Sequence, residues 1–264
     1  MSKNVQKLAD ALVMAQQTGQ VVNYQQACEL TPASDEEAYQ VQALVAEKLG
    51  WFASEERFIW KTGGTLQNPS AARVRHEALV YATEKEGEGH VRHVLHERNA
   101  HDFTSIEIEV AITLARSIKR DSSIEALEAA IDNVYLSVEV CDQRVERWAD
   151  LPASIRLADQ QMNRAIILVG KPTKGWRDSF VNPYMSITVN QQAIALGEGT
   201  HPLGHPLALL PWLNGLSETL YSRGLEAGDT VTTGTWFGLQ VLAGGDEVVA
   251  SIDGLGEVRL SLEP

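Results

Sequence analysis

The segment Ile106-Glu107-Ile108-Glu109-Val110-Ala111-Ile112-Thr113-Leu114 alternates without a break. Successive strand side chains point to opposite faces, so Ile106, Ile108, Val110, Ile112 and Leu114 form one aliphatic ladder. Such a ladder pins the register, because a slip of one residue moves every apolar side chain to the wrong face. The opposite face carries Glu107 and Glu109, with their bases roughly 7 Å apart. A second run has Val134, Leu136, Val138 and Val140 on one face and Tyr135, Ser137, Glu139 and Cys141 on the other. On spacing alone, a solvated sheet face is the commoner origin of such glutamates. If the face is buried, the like charges repel, and a hard divalent cation relieves them. Oxygen-only ligands suit Mg²⁺, Mn²⁺ or Ca²⁺.

The rest of the chain frames these two strands. Val5, Leu8, Leu12 and Val13 recur at helical spacing. Ser34 and Glu37 form a capping-box pattern, and Ala38, Val41, Val45 and Leu49 continue a second helix up to Gly50. Ser122 and Glu125 suggest a third helix through about 131. Strands are expected over 57–62, 166–170 and 186–190, a helix from Pro206 to near Gly224, and strands over 229–233, 247–252 and 258–262. The expected class is α+β: a helical region over 1–55, then a β-rich catalytic domain over 56–264 with a mostly antiparallel core.

A formal charge of −13 in 264 residues argues against non-specific nucleic-acid binding. An anionic substrate remains compatible, because a bound cation reverses the local sign. No apolar run has the length of a membrane span, and the N-terminus lacks a secretory apolar core. Cys28 and Cys141 make neither a disulfide framework nor a thiolate metal site. A cytoplasmic location is expected.

Six strings, in order from about 57 to the end, resemble the 2-keto-4-pentenoate hydratase and 4-oxalocrotonate decarboxylase family of the fumarylacetoacetate hydrolase superfamily. They are Trp60-Lys61-Thr62-Gly63-Gly64-Thr65, Ile106 to Ala111, Ser137 to Val145, Leu203-Gly204-His205-Pro206-Leu207, Leu225 to Gly234, and Gly254 to Val258. The resemblance implies a fumarylacetoacetate-hydrolase-like mixed β core. It implies that Glu107, Glu109 and Glu139 hold Mg²⁺ or Mn²⁺, and that Lys61 neutralises a substrate carboxylate or moves a proton, with its pKa lowered. Thr65 and Asp159 would contact substrate. Asp142 would orient a ligand or Lys61, and His205 would pack or cap at its helix start. The partners implied are a small 2-oxo acid and further copies of the chain, with a pathway enzyme as a possible companion.

The expected reaction is hydration of 2-hydroxypenta-2,4-dienoate to 4-hydroxy-2-oxopentanoate. The alternative is 4-oxalocrotonate decarboxylation, for which Arg73, Arg75 and Arg164 are candidate holders of a distal carboxylate. A catalytically weakened partner subunit is a further alternative. Hydrolysis of an acylpyruvate ranks lower, because no His-Glu pair stands near the ligands. Three departures from the family pattern matter. Gly64 replaces a leucine, 66–81 has different wording where a lid is expected, and 160–164 keeps no equivalent of a family serine.

Overall fold

The computed structural model describes residues 2–52, 57–83, 91–95, 104–173 and 182–263. Helices α1 (Lys3–Thr18), α2 (Tyr24–Glu29) and α3 (Asp35–Leu49) open the chain. Ser34 caps α3 by accepting from the Glu37 N–H, and the Glu37 carboxylate accepts from Ala33 rather than from Ser34 itself. Next come β1 (Ile59–Gly64), β2 (Pro69–Val74), β3 (Leu79–Ala82), β4 (Val91–Leu95), β5 (Thr104–Leu114), α4 (Ile124–Glu128) and β6 (Ile131–Cys141). The remainder is α5 (Ala153–Ala158), β7 (Asn163–Thr173), β8 (Tyr184–Val189), β9 (Gln192–Glu198), α6 (Leu210–Tyr221), β10 (Thr230–Thr235), β11 (Gln240–Leu242), β12 (Glu247–Ile252) and β13 (Gly256–Leu262).

The strands form two sheets. One runs β2-β1-β10-β5-β6-β7-β3, with β11 also on β5, and the other runs β4-β13-β12-β8-β9. Pairs β1–β10, β3–β7 and β4–β13 are parallel, so the core is mixed although antiparallel pairs dominate. The ladder of Ile106, Ile108, Val110 and Ile112 shares one apolar cluster with Val248, Ala250, Val258 and Leu260 of the second sheet. Each such side chain contributes about 1.5–3 kcal/mol on burial. That burial turns Glu107, Glu109 and Glu139 to the other side of the large sheet.

The helices bury Val5, Leu8, Leu12, Val41 and Val45 together with Val145, Leu151, Ile155 and Ala158. The helical core therefore draws on the β6–β7 connection as well as the N-terminal region. The boundary expected at 55 and 56 lies outside the described residues. No helix among them is long and apolar enough to cross a membrane.

Two expectations need correction. The segment Leu66–Tyr81 is not a lid. It contains β2, a 3-10 turn at His76–Ala78 and most of β3, and it buries Ala71, Ala72 and Val74. The helix after β5 is capped by Ser123, not Ser122, and spans only Ile124–Glu128. Ser122 instead accepts from the Lys119 N–H.

Candidate metal centre

Register brings the acids together: Glu107 faces Glu139 across β5 and β6, and Glu109 faces Ser137. Glu109 and Glu139 are 1% and 0% exposed, which removes the solvated-face alternative. Ligand atoms of Glu107, Glu139 and Cys141 lie within 4.8 Å of one another. Strand β10 bulges between Thr232 and Thr235, and Gly234, at φ 93°, donates its N–H to Glu109 Oε2 at 3.3 Å. The bulge needs glycine there, since that φ strains any residue with a Cβ.

Glu109 Oε1 and Glu139 Oε2 remain buried without a hydrogen-bond partner. A carboxylate oxygen in that state is costly unless a cation meets it. Burial, then the Glu139 charge, pushes the Glu107 carboxyl up to about 7, against the pull of Lys61. The same causes, joined by Glu107, raise Glu109 well above the usual carboxylate range. Burial pushes the Cys141 thiol up as well, so it stays a protonated neighbour rather than a thiolate ligand. The orphaned oxygens of Glu109 and Glu139, with the Glu107 carboxylate beside them, form an all-oxygen donor set that fits Mg²⁺ or Mn²⁺.

Lys61 is 4% exposed and donates to Glu139, and to the Gln161 carbonyl at 3.0 Å. Burial opposes its charge, but the Glu139 and Glu107 charges and the hydrogen bond to Glu139 outweigh burial, so its pKa is raised. The expected lowering is therefore reversed in the metal-free protein, because the acids nearest Lys61 are its partners. Gln160, Gln161 and Met162 all have positive φ, at 45°, 52° and 64°. Such conformations cost about 1–3 kcal/mol each and persist where surrounding contacts hold them. Here the turn aims a carbonyl at Lys61 while Gln161 Nε2 donates to Ser70 Oγ. The segment that departs from the family pattern thus serves Lys61 through its backbone.

A cavity of about 560 Å³ opens over this group. Its wall includes Lys61, Glu107, Glu109, Gln161, His201 and Thr235, with Arg156 as a second cation among the described residues. His201 went unnoticed in the sequence, although His-Pro-Leu occurs twice, at 201–203 and 205–207. His205, as expected, caps its turn: Nδ1 accepts from the Leu207 N–H.

Other residues singled out from the sequence stand elsewhere. Thr65 is exposed, closes a turn by accepting from the Asn68 N–H, and is not in the cavity wall. Gly64 precedes it at φ +82°, where a Cβ would stand 2.3 Å from the Asn68 carbonyl oxygen. A leucine there would be strained and would press on the Asn68 carbonyl unless the 65–68 turn shifted. Asp159 is not in the cavity wall either, but is ion-paired with Arg144. Arg144 also donates to the Asp159 and Asn163 carbonyls at 2.9 and 3.1 Å and lies 4.0 Å from Asp142. Burial raises Asp159 to about 6 despite Arg144. Asp142 and Asp159 thus form a buried cluster around Arg144 outside the cavity wall. Arg73 stacks on Phe52 and Phe58 at 3.9 and 3.7 Å, and Arg73, Arg75 and Arg164 line a different hollow.

Comparison with known proteins gives the family of the chain. The model of the fumarylacetoacetate (FAA) hydrolase C-terminal family matches residues 61–263. The chain is 30% identical over 154 residues to 2-keto-4-pentenoate hydratase 1 of Dechloromonas aromatica (strain RCB), covering 58% of each. It is also 30% identical over 156 residues to a 4-oxalocrotonate decarboxylase of Pseudomonas putida, again 58% of each. The match thus spans less than two thirds of these relatives. A solved 4-oxalocrotonate decarboxylase from Pseudomonas putida G7, complexed with magnesium and adipate, superposes with a TM-score of 0.79 at 19% identity, over 98% of this chain and 97% of that one. The chain belongs to the fumarylacetoacetate hydrolase family.

Proposed function

We propose that the protein is a divalent-metal-dependent lyase acting on a 2-oxo acid or its 2-hydroxydienoate form. The specific reaction proposed is hydration of 2-hydroxypenta-2,4-dienoate to 4-hydroxy-2-oxopentanoate. One observation carries this reading. Glu109 and buried Lys61 line a cavity sized for a small acid, and Glu109 and Glu139, the latter paired with that lysine from behind the wall, each keep a buried carboxylate oxygen without a partner. A bound Mg²⁺ or Mn²⁺, which Glu107, Glu109 and Glu139 would hold, would supply Lewis acidity toward the 2-oxo acid.

The protein's own residues do the rest. Glu107, Glu109 and Glu139 hold the cation. Glu139 and the Gln161 carbonyl fix the position of Lys61 Nζ. Lys61, held beside Glu139, is the group proposed to donate a proton to the substrate. In hydration the dienol takes a proton at its terminal carbon and gives up its enol O–H proton, and water then adds across the resulting conjugated enone, its OH to C4 and its proton to C3.

The second reading is decarboxylation of 4-oxalocrotonate, and Arg156 favours it. Arg156 is half-buried in the cavity wall, and among the described residues its guanidinium has one hydrogen bond, to the Ala149 carbonyl at 3.4 Å. A guanidinium so placed suits the distal carboxylate of a diacid. The solved relative that holds magnesium and adipate points the same way.

Calorimetry on EDTA-stripped protein tests the proposal. Mg²⁺ or Mn²⁺ is added, followed by oxalate as an enolpyruvate mimic, with Glu109→Gln in parallel. Oxalate binding that needs metal and disappears in the variant supports it. Absence of metal-dependent binding overturns it and favours a subunit without chemistry. A substrate panel then follows with Arg156→Leu. Loss of diacid turnover alone selects the decarboxylase, and turnover of the monoacid dienoate selects the hydratase.

A further inference from the structure

His201 is 3% exposed and lines the cavity together with Glu107 and Glu109. Its Nδ1 accepts a hydrogen bond from the Leu203 N–H at 3.2 Å. A ring nitrogen that accepts carries no proton, so in the neutral ring the proton sits on Nε2. Nε2 is buried and has no hydrogen-bond partner in the protein. The ring cannot easily turn away. Trp236 packs against it edge to face at 5.1 Å, and the Gly204 N–H donates to the His201 carbonyl at 2.8 Å. Nε2 also faces Gly234, where a Cβ would stand 3.9 Å away. Gly234 is the residue whose N–H holds Glu109. The Gly234 and Thr233 backbone lies near the ring, but Nε2 makes no well-formed hydrogen bond to it, and a buried donor so poorly served is costly in the empty protein.

We infer that His201 donates its Nε2–H to an oxygen of the bound 2-oxo acid and is a substrate-contacting residue of this site. The inference rests on the lyase reading above. It assigns His201 hydrogen-bond donation and no proton transfer. Burial lowers its pKa to about 4, although the Gly234 and Thr233 backbone pulls it partly back. A ring that is neutral throughout the neutral range donates without competing for the substrate's proton. His205, four residues on, caps through Nδ1, and its Nε2 lies 3.7 Å from Glu128, so it has no such role.

The first test needs neither metal nor substrate. Nitrogen-15 NMR of the imidazoles in the metal-free protein, assigned with His201→Gln, should show His201 with Nε2 protonated and Nδ1 bare. The reverse tautomer overturns the inference. The second test is oxalate calorimetry at saturating Mg²⁺. His201→Leu should weaken oxalate about tenfold, the worth of one hydrogen bond to a charged group. His201→Gln, which keeps a donor, should recover most of that loss. Mg²⁺ affinity without oxalate should be unchanged in both. If wild type binds oxalate and His201→Leu binds it equally well, the His201 assignment falls alone. If wild type binds no oxalate, the lyase reading falls and takes this assignment with it.

Discussion

Lys61 and Glu139 form an ion pair sealed from solvent, with Lys61 4% and Glu139 0% exposed. The pair joins β1 to β6 and places one positive charge among three carboxyl groups. Removing one partner of a buried pair leaves the other charge uncompensated and costs about 3–5 kcal/mol. Lys61→Met should therefore destabilise the metal-free protein by that amount in urea unfolding. Because Lys61 is also the proposed proton donor, turnover should fall by about 10² or more. Unchanged turnover would remove Lys61 from the chemistry.

Glu107 sets a pH dependence with a definite sign. Its carboxyl is raised to about 7 in the folded, metal-free chain, against an ordinary value of 4.5. A raised folded pKa means that the folded state holds the proton more tightly. Its stabilising effect is complete below about 4.5 and is lost as the pH rises through about 7. The Tm of EDTA-treated protein should fall across that window from this group. Mg²⁺ must displace the proton, so binding should release protons at pH 6 and far fewer at pH 8.5. Calorimetry in two buffers of different ionisation enthalpy measures the release. Equal release at both pH values removes Glu107 from the ligand set.

Arg144 holds a separate buried cluster. Arg144→Leu would leave Asp159 without its ion-pair partner and Asp142 without its nearby guanidinium, all three sites being 2–3% exposed. The expected loss is about 3–5 kcal/mol. Arg144→Leu with Asp159→Leu should lose less than Arg144→Leu alone. Because neither aspartate is in the cavity wall, Asp159→Asn should alter stability well before it alters oxalate affinity. An oxalate-specific effect at full stability would place Asp159 back in the binding site.

Gly64→Leu restores the residue of the family pattern and should harm this protein. The backbone stands at φ +82°, with the Asn68 carbonyl oxygen 2.3 Å from the added Cβ. Strain of this kind costs about 1–3 kcal/mol. Thermal unfolding should fall by roughly 2–4 °C per kcal/mol for a chain near this size. A variant as stable as wild type would show that the 65–68 turn repacks freely.

The period-two pattern settled much of the site in advance. Ile106 to Leu114 and Val134 to Val140 can bury only one face each, so Glu107, Glu109 and Glu139 had to share the other. The short elements α2, β2, β3, β4, β9 and β11 escaped notice because they lack a run long enough to show a period. The expected lid failed for a related reason: Ala71, Ala72 and Val74 are buried by strand pairing and helix packing that come from other parts of the chain.

Local pattern thus determined which faces are apolar, where the carboxylates line up and where α3 begins and ends, whereas the helix expected from Pro206 starts as a 3-10 turn and becomes α6 only at Leu210. Partner choice was decided by tertiary structure. Arg144 takes Asp159 from across a loop, Lys61 finds Glu139 78 residues away, and the Gln161 carbonyl turns toward that lysine through a strained turn. Two His-Pro-Leu strings look alike in the chain, yet His205 caps a turn while His201 keeps a buried, unpartnered nitrogen. The physical reason is that burial and hydrogen-bond supply belong to the surroundings of a side chain. Those surroundings come from residues far apart in sequence.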